Sequence, residues 1–228
     1  MTHVSPRFRT LLATAALALA CAPAWAVKPF SANYQASYMG MQGSGLMKVE
    51  AAGQNRWRYT LRIKNSLADL SQSTVFEEHA GRLRPLSGVD SSKVLVKKSN
   101  KQANYDWGRG EANWSGDVKP DRKGPVKLEV GDLDALMINL ALVRDVADGK
   151  PLNYRMVEDG RIKQMQCTIA GKEQIDVAGK QQQATKVINS SGEKQTIAWI
   201  VDSLPVPARI LQRNHGEDTI DLWVKTTP

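Results

Sequence analysis

The stretch RWRYTLRIKNSL, residues 56–67, alternates between apolar side chains and basic or polar ones. Because successive side chains of a β-strand point to opposite sides of the sheet, this pattern predicts a strand with two different faces. The apolar face carries Trp57, Tyr59, Leu61 and Ile63, and the other face carries Arg56, Arg58, Thr60, Arg62 and Lys64. We expect the apolar face to cover a core and the basic face to lie outside.

The same two-residue period recurs along most of the chain from Phe30 to Lys225. Turn signals separate the runs, among them Glu158-Asp159-Gly160 and His215-Gly216, and such turns are typical of β-hairpins. The pattern predicts about eleven antiparallel strands, too many to lie flat, because twisted strands tend to curl towards closure. We therefore expect an antiparallel meander that curls into an open or closed barrel.

A single segment, from Asp132 to Val146, predicts a substantial helix. Apolar residues follow the spacing of one helical face at Leu133, Leu136, Met137, Leu140 and Val143. Asp132 is the expected N-cap, and Gly149 with Pro151 ends the helix. Since Ile138 and Leu142 widen the apolar stripe, we expect the helix to be covered on more than one side, packed on or in the barrel.

Two segments break the strand pattern. Residues 65–73 form a predicted connection, with room for one helical turn, that carries Leu67 and Leu70. Residues 115–130 contain two prolines and two glycines, which indicates a surface loop.

The first 26 residues have the features of a cleaved export signal. Arg7 and Arg9 precede an apolar run of about ten residues, well short of the roughly 20 that a membrane-spanning helix needs. The small residues Ala24 and Ala26 predict cleavage after Ala26, which leaves a single β-barrel-like domain over residues 27–228 in the periplasm. Lipidation at Cys21 is the alternative, disfavoured because the position three residues before the cysteine, residue 18, is alanine and not the usual leucine.

The chain is basic, with a formal charge of +8 that falls to +6 once Arg7 and Arg9 are removed. Export separates the protein from nucleic acid. The basic face Arg56, Arg58, Arg62 and Lys64 has two interpretations: a solvated outer surface, which we favour because the charge is spread through the chain, or a contact with anionic lipid headgroups.

Residue patterns for catalysis or metal binding are missing from the sequence after residue 26. Cys167 is the one cysteine there, so an intramolecular disulfide is excluded, and its alternating surroundings predict a buried, inert thiol. His79 and His215 lack metal-ligand spacing, and the chain has no Gly-x-Ser-x-Gly nucleophile motif. We predict no catalytic residue, metal or cofactor, and favour a noncatalytic role.

Five stretches resemble an exported family catalogued as domain of unknown function 3108. They are PFSANYQASYMGMQGSG (29–45), FEEHAGRLRPLSG (76–88), YDWGRG (105–110), DLDALMINLAL (132–142) and IAWIVDSLPVPARILQ (197–212). The resemblance extends from Phe30 to Trp223 and implies an exported β-rich domain without implying an activity. Residues 199–210 also resemble the late strands of periplasmic lipoprotein carriers, which are incomplete barrels around helices, a likeness of fold only.

These observations favour a carrier of an apolar or amphipathic, lipid-like ligand in envelope traffic or maintenance. The candidate ligand-binding residues are Tyr59, Leu61, Ile63, Leu67, Leu70, Trp107, Leu136, Met137 and Leu140, with Leu67 and Leu70 as a mobile cover and Trp107 at a barrel rim. The alternative is an envelope scaffold with a filled core that binds another envelope protein. An envelope hydrolase, built on His79 with a carboxylate and a hydroxyl, is a distant third. An internal cavity distinguishes the first two hypotheses.

Overall fold

A computed structural model describes residues 27–226, so the predicted export signal and Cys21 lie outside the described residues. The strands are β1 Phe30–Tyr38, β2 Met41–Ala51, β3 Arg56–Lys64, β4 Ala68–His79, β5 Arg82–Val94, β6 Lys97–Asp106, β7 Glu111–Gly116, β8 Val126–Lys127, β9 Asn153–Glu158, β10 Arg161–Gln166, β11 Thr168–Val177, β12 Lys180–Ser191, β13 Lys194–Ile200, β14 Arg209–Asn214 and β15 Glu217–Thr226. Helix α1 is Ala135–Ala147, and a 3-10 turn occupies Pro120–Arg122. The helix is too short to cross a membrane, and no other helix among residues 27–226 could do so.

Thirteen of the strands form one antiparallel sheet in the order β11-β12-β13-β14-β15-β1-β2-β3-β4-β5-β6-β7-β8. The hairpin β9–β10 forms a separate two-stranded sheet. The predicted mainly β, antiparallel fold with one principal helix is therefore confirmed, with more strands than expected. The edge strands β8 and β11 do not pair, so the sheet is not closed into a barrel.

Strand β3 has the two faces that its sequence predicts. Tyr59 and Ile63 are buried on the inner side, whereas Arg56, Arg58, Arg62 and Lys64 are exposed on the outer side. Trp57 and Leu61 are half-buried on the inner side and pack against the core. This strand fixes which face of its neighbours β2 and β4 is also inner, because paired residues share a side of the sheet.

Helix α1 begins after Asp134, and the predicted N-cap at Asp132 is wrong. The Asp134 carboxylate accepts a hydrogen bond from the Met137 amide (2.7 Å) and another from the Thr74 hydroxyl (2.6 Å). Asp132 instead accepts hydrogen bonds from Arg155 and from the Glu129 amide (2.8 Å). The helix starts late because Leu133 is still extended and forms a bridge with Met156.

The predicted connection at residues 65–73 is largely strand, and the helical turn considered there is wrong. The Asn65 side-chain oxygen accepts hydrogen bonds from the amides of Leu67 (2.9 Å) and Ala68 (2.7 Å), and β4 starts at Ala68. The alternation is hard to see in the sequence because Gln72, a polar residue, lies opposite Leu61 on the inner face.

Two runs of sequence that each have the pattern of a single strand, residues 93–98 and 161–169, are divided in the structure. The run 93–98 contains the turn Leu95-Val96 between β5 and β6. The sequence does not indicate this turn, because both of its residues are apolar. The run 161–169 is interrupted at Cys167, between β10 and β11. Gly171, although glycine is common in turns, lies inside β11 at an irregularity of the β11–β12 pairing.

Candidate functional site

A cavity of about 650 Å³ lies between the curved sheet, helix α1 and the β9–β10 hairpin. The strands β3–β5 and β12–β15 contribute to its wall from opposite sides. Many of their lining residues lie in the parts of the strands that lead to the turns at residues 65–67, 95–96, 192–193 and 215–216. The turn at residues 39–40 lies at the same end of the sheet, because the Met39 amide donates to the Thr219 carbonyl (2.9 Å). We call this the cavity end of the sheet, and the end with the turns at 52–55, 80–81, 107–110 and 178–179 the far end.

The cavity wall is apolar in its depth and polar where it reaches solvent. Buried apolar side chains include Ile138, Leu142, Val187, Ile210 and Leu222. The more exposed lining residues are mostly polar or basic, among them Gln164, Ser191, Lys194 and Gln212. A wall of this kind can hold an apolar chain inside and hydrogen-bond a polar group near the surface.

Helix α1 faces the cavity with residues other than those predicted. The lining positions are Ala135, Ile138, Asn139 and Leu142, which follow the spacing of one helical face. Of the candidates on this helix, Met137 and Leu140 are buried in the core and Leu136 borders a second, smaller cavity. Because apolar residues lie on most sides of the helix, its sequence did not show which face borders the cavity and which faces pack in the core. The half-buried polar Asn139 was the available signal.

The remaining candidate ligand-binding residues are divided between the cavity and other places. Leu61, Ile63 and Leu70 line the cavity wall. Tyr59 is fully buried below it, and its hydroxyl donates to the Met47 sulfur at 3.3 Å.

Two of the candidates lie away from the cavity wall. Leu67 is exposed in a turn at the cavity end, next to strand β4 rather than on a separate cover. Trp107 lies at the far end, where its indole N–H donates to the Pro85 carbonyl (2.6 Å) and Arg84 stacks 5.5 Å from the ring centre.

A carboxylate-rich wall separates the cavity from a second one of about 200 Å³. Asp90 and Glu158 line both cavities, and Asp134 and Thr74 line the smaller one. Burial, together with the nearby charges of Asp134 and Asp90, raises the pKa of Glu158 to about 7, and Lys163 opposes this shift. Burial also raises the pKa of Asp134. This wall can therefore change its charge near neutral pH.

Cys167 lines the cavity and is half-buried, so the expectation of a buried thiol holds only in part. The residue follows the last residue of β10, where the chain crosses from the hairpin to the main sheet. Burial raises the pKa of the thiol to about 11, which keeps it protonated at neutral pH.

The basic face of β3 is partly compensated by acidic neighbours. Arg62 forms a two-pronged ion pair with Asp69, with distances of 2.8 and 2.6 Å. Arg58 lies opposite Glu50 on β2, and Arg56 lies opposite Glu77 on β4. This surface is less positive than the sequence of β3 alone indicates.

The two histidines among residues 27–226 occupy exposed positions. His79 ends β4, and His215 lies in a turn with its ring nitrogen 3.8 Å from Glu193. Within the described part of the chain, no group of three or more histidine, cysteine or acidic side chains could hold a metal ion.

Comparison with known proteins identifies the family. Residues 32–222 match the model of the family described as Protein of unknown function (DUF3108), and the chain belongs to this family. Among solved structures, it is similar to a β-barrel-like protein of domain of unknown function DUF1849 from Brucella abortus, with a TM-score of 0.53 and 13% identity. The match covers 86% of this chain and 95% of the other, and at this identity it shows the fold alone. No curated protein matches the chain.

Proposed function

We propose that this protein is an exported, noncatalytic binder of one apolar or amphipathic, lipid-like molecule, which it holds in the cavity. The observation that supports this most strongly is the volume that helix α1 leaves unfilled. About 650 Å³ lies within the range of roughly 300–1,000 Å³ that is usual for small-molecule sites. A scaffold with a filled core would not need an unfilled cavity of this size.

The lining favours a ligand with two chemically different ends. An acyl chain would contact Ile138, Leu142 and Leu222 in the deep part of the cavity. Since these side chains form no hydrogen bonds with water, none would be lost when the acyl chain binds. A polar group would lie towards Lys194 and Gln212, which can donate hydrogen bonds near the surface. The predicted export signal at residues 1–26 supports a role in envelope lipid traffic or maintenance.

The test is native mass spectrometry of the protein purified from the cell envelope, followed by extraction and identification of any bound lipid. We expect a stoichiometric amphiphile. In Leu61→Trp the indole should occupy part of the cavity and reduce the bound fraction at least about tenfold. The control is Thr60→Trp, which adds the same ring to the same strand on the outer face.

The scaffold hypothesis has the opposite expectation. A clean mass without ligand, and no uptake when lipids are offered to the purified protein, would reject the carrier proposal and direct the search to protein partners. Equal lipid loss in Leu61→Trp and Thr60→Trp would also reject the cavity as the binding site.

A further inference from the structure

Three neighbouring hairpin turns at the cavity end expose large apolar side chains. These residues, which we call the apolar tips, are Met39 (69% exposed), Met41 (37%), Leu67 (42%), Leu95 (62%) and Val96 (94%). They come from the turns β1–β2, β3–β4 and β5–β6. Single exposed apolar residues are common on protein surfaces, but a contiguous group of them indicates an interaction site.

Hydrogen bonds hold the three turns side by side. The Asn65 side-chain nitrogen donates to the carbonyl of Met41 (3.3 Å), which connects the first turn to the second. The Leu95 amide donates to the carbonyl of Leu67 (2.7 Å), which connects the second to the third. The apolar tips therefore form one fixed row along the cavity end.

Folding alone does not account for apolar residues at these positions. Met39 and Leu95 adopt positive φ angles of 50° and 54°, a conformation in which glycine or asparagine is favoured. Far-end turns meet the same requirement with the small or polar residues Asn55, Ala80 and Ala178. The side chains of Met39 and Leu95 thus gain neither local backbone stability nor substantial burial in this chain.

A row of lysines lies directly beside the apolar tips. Cross-strand pairing joins Lys64 to Asp69, Asp69 to Lys93, and Lys93 to Lys98, on the outer face of β3–β6. The three lysines are exposed. Since Asp69 is already paired with Arg62, the row has an excess of positive charge.

We propose that the apolar tips insert into the surface of an anionic lipid bilayer while the lysine row contacts the headgroups. Exposed apolar side chains flanked by lysine are the combination that binds such a surface. A second copy of the chain is a poorer partner, because it would bring two lysine rows together. Docking in this way would turn the cavity end towards the membrane.

The first test separates membrane binding from folding. Flotation with vesicles of phosphatidylcholine, with and without phosphatidylglycerol, should recover the protein mainly with the anionic vesicles. The triple variant Met39→Asn/Leu95→Asn/Val96→Ser should bind at least about tenfold more weakly. Its melting temperature should be unchanged or higher, because asparagine tolerates the positive φ at residues 39 and 95. The far-end variant Ala80→Asn, at a φ of 50°, should bind like the original protein.

The second test concerns charge. Lys93→Gln/Lys98→Gln should weaken binding to anionic vesicles on the order of tenfold and leave any binding to neutral vesicles unchanged. The control, Arg56→Gln/Arg58→Gln, removes the same charge from the same outer face towards the far end. It should have a clearly smaller effect.

Several results would overturn the docking surface. The proposal fails if the original protein does not float with anionic vesicles, or if the triple variant binds as well as the original protein. It also fails if the lysine and arginine variants weaken binding equally. Self-association that the triple variant abolishes, in a protein that does not bind vesicles, would assign the tips to a dimer instead. Since flotation does not depend on cavity occupancy, failure of the carrier proposal and failure of this one are distinguishable.

Discussion

The interior of the curved sheet consists of a filled half and a hollow half, and strand β3 passes through both. Tyr59 is fully buried in the filled half, with its ring edge-on to Phe30 at 6.1 Å. Leu61 and Ile63, two and four residues further along the same strand, line the cavity. The same alternating pattern therefore builds packed core in one half and cavity wall in the other.

The difference comes from what faces the strand. In the filled half, large side chains such as Phe76 and Met137 are fully buried. In the hollow half, the lining includes small or polar residues, among them Gln72, Ala135, Asn139 and Ala198, where larger apolar groups would close the space. The comparison indicates that the cavity results from residue choice on several elements, and it can be tested on single elements.

The largest expected effect compares two truncations on helix α1. Met137→Ala should lower the free energy of unfolding by about 3 kcal/mol, because the methionine is fully buried and leaves a new void. Leu142→Ala should cost less, about 2 kcal/mol, since one side of the leucine already faces a cavity. Urea denaturation measures both. Equal losses would contradict the distinction between a filled half and a hollow half.

An intermediate effect is expected from adding volume on the same helix. Ala141→Leu should destabilise the protein by about 1–3 kcal/mol, because Ala141 is fully buried among packed neighbours. Ala135→Leu makes the same change at a half-buried position that lines the cavity, and should stay within about 0.5 kcal/mol. If Ala135→Leu costs as much as Ala141→Leu, the space beside the helix is not available to a ligand.

A third expected effect is a pH dependence of stability from the wall between the two cavities. Glu158 has a folded-state pKa of about 7, above its ordinary value of 4.5, so the folded protein binds this proton more tightly than the unfolded chain. Its contribution to stability is therefore fully present below pH 4.5 and is lost as the pH rises to about 7. When the free energy of unfolding is measured by urea denaturation across this pH range, it should fall less with rising pH in Glu158→Gln than in the original protein.

The control for this pH dependence is Glu193→Gln, in a turn where the carboxylate is largely exposed. It should leave the slope of stability against pH as it is in the original protein. If Glu158→Gln leaves this slope unchanged, the wall between the two cavities is not the source of the pH dependence of stability.

The candidate site was only partly predictable from sequence. Leu61, Ile63 and Leu70 were identified because they belong to an apolar face or interrupt a polar segment. The lining residues on β12–β15 were missed, since their strands are remote from β3 along the chain and meet it only across the cavity. On α1, an apolar surface on several sides could not show which one faces empty space.

The sequence by itself determined the strand faces, most turns, the helix and the family. The strand faces, turns and helix depend on local chemistry: a period of two, glycine-containing turns and an apolar run with helical spacing. Tertiary structure alone decided that the sheet stays open, which helix face borders a cavity, and that three apolar turns form one row. Each of these depends on side chains from distant segments meeting in space, and the packing of such groups leaves no periodic trace in a single chain.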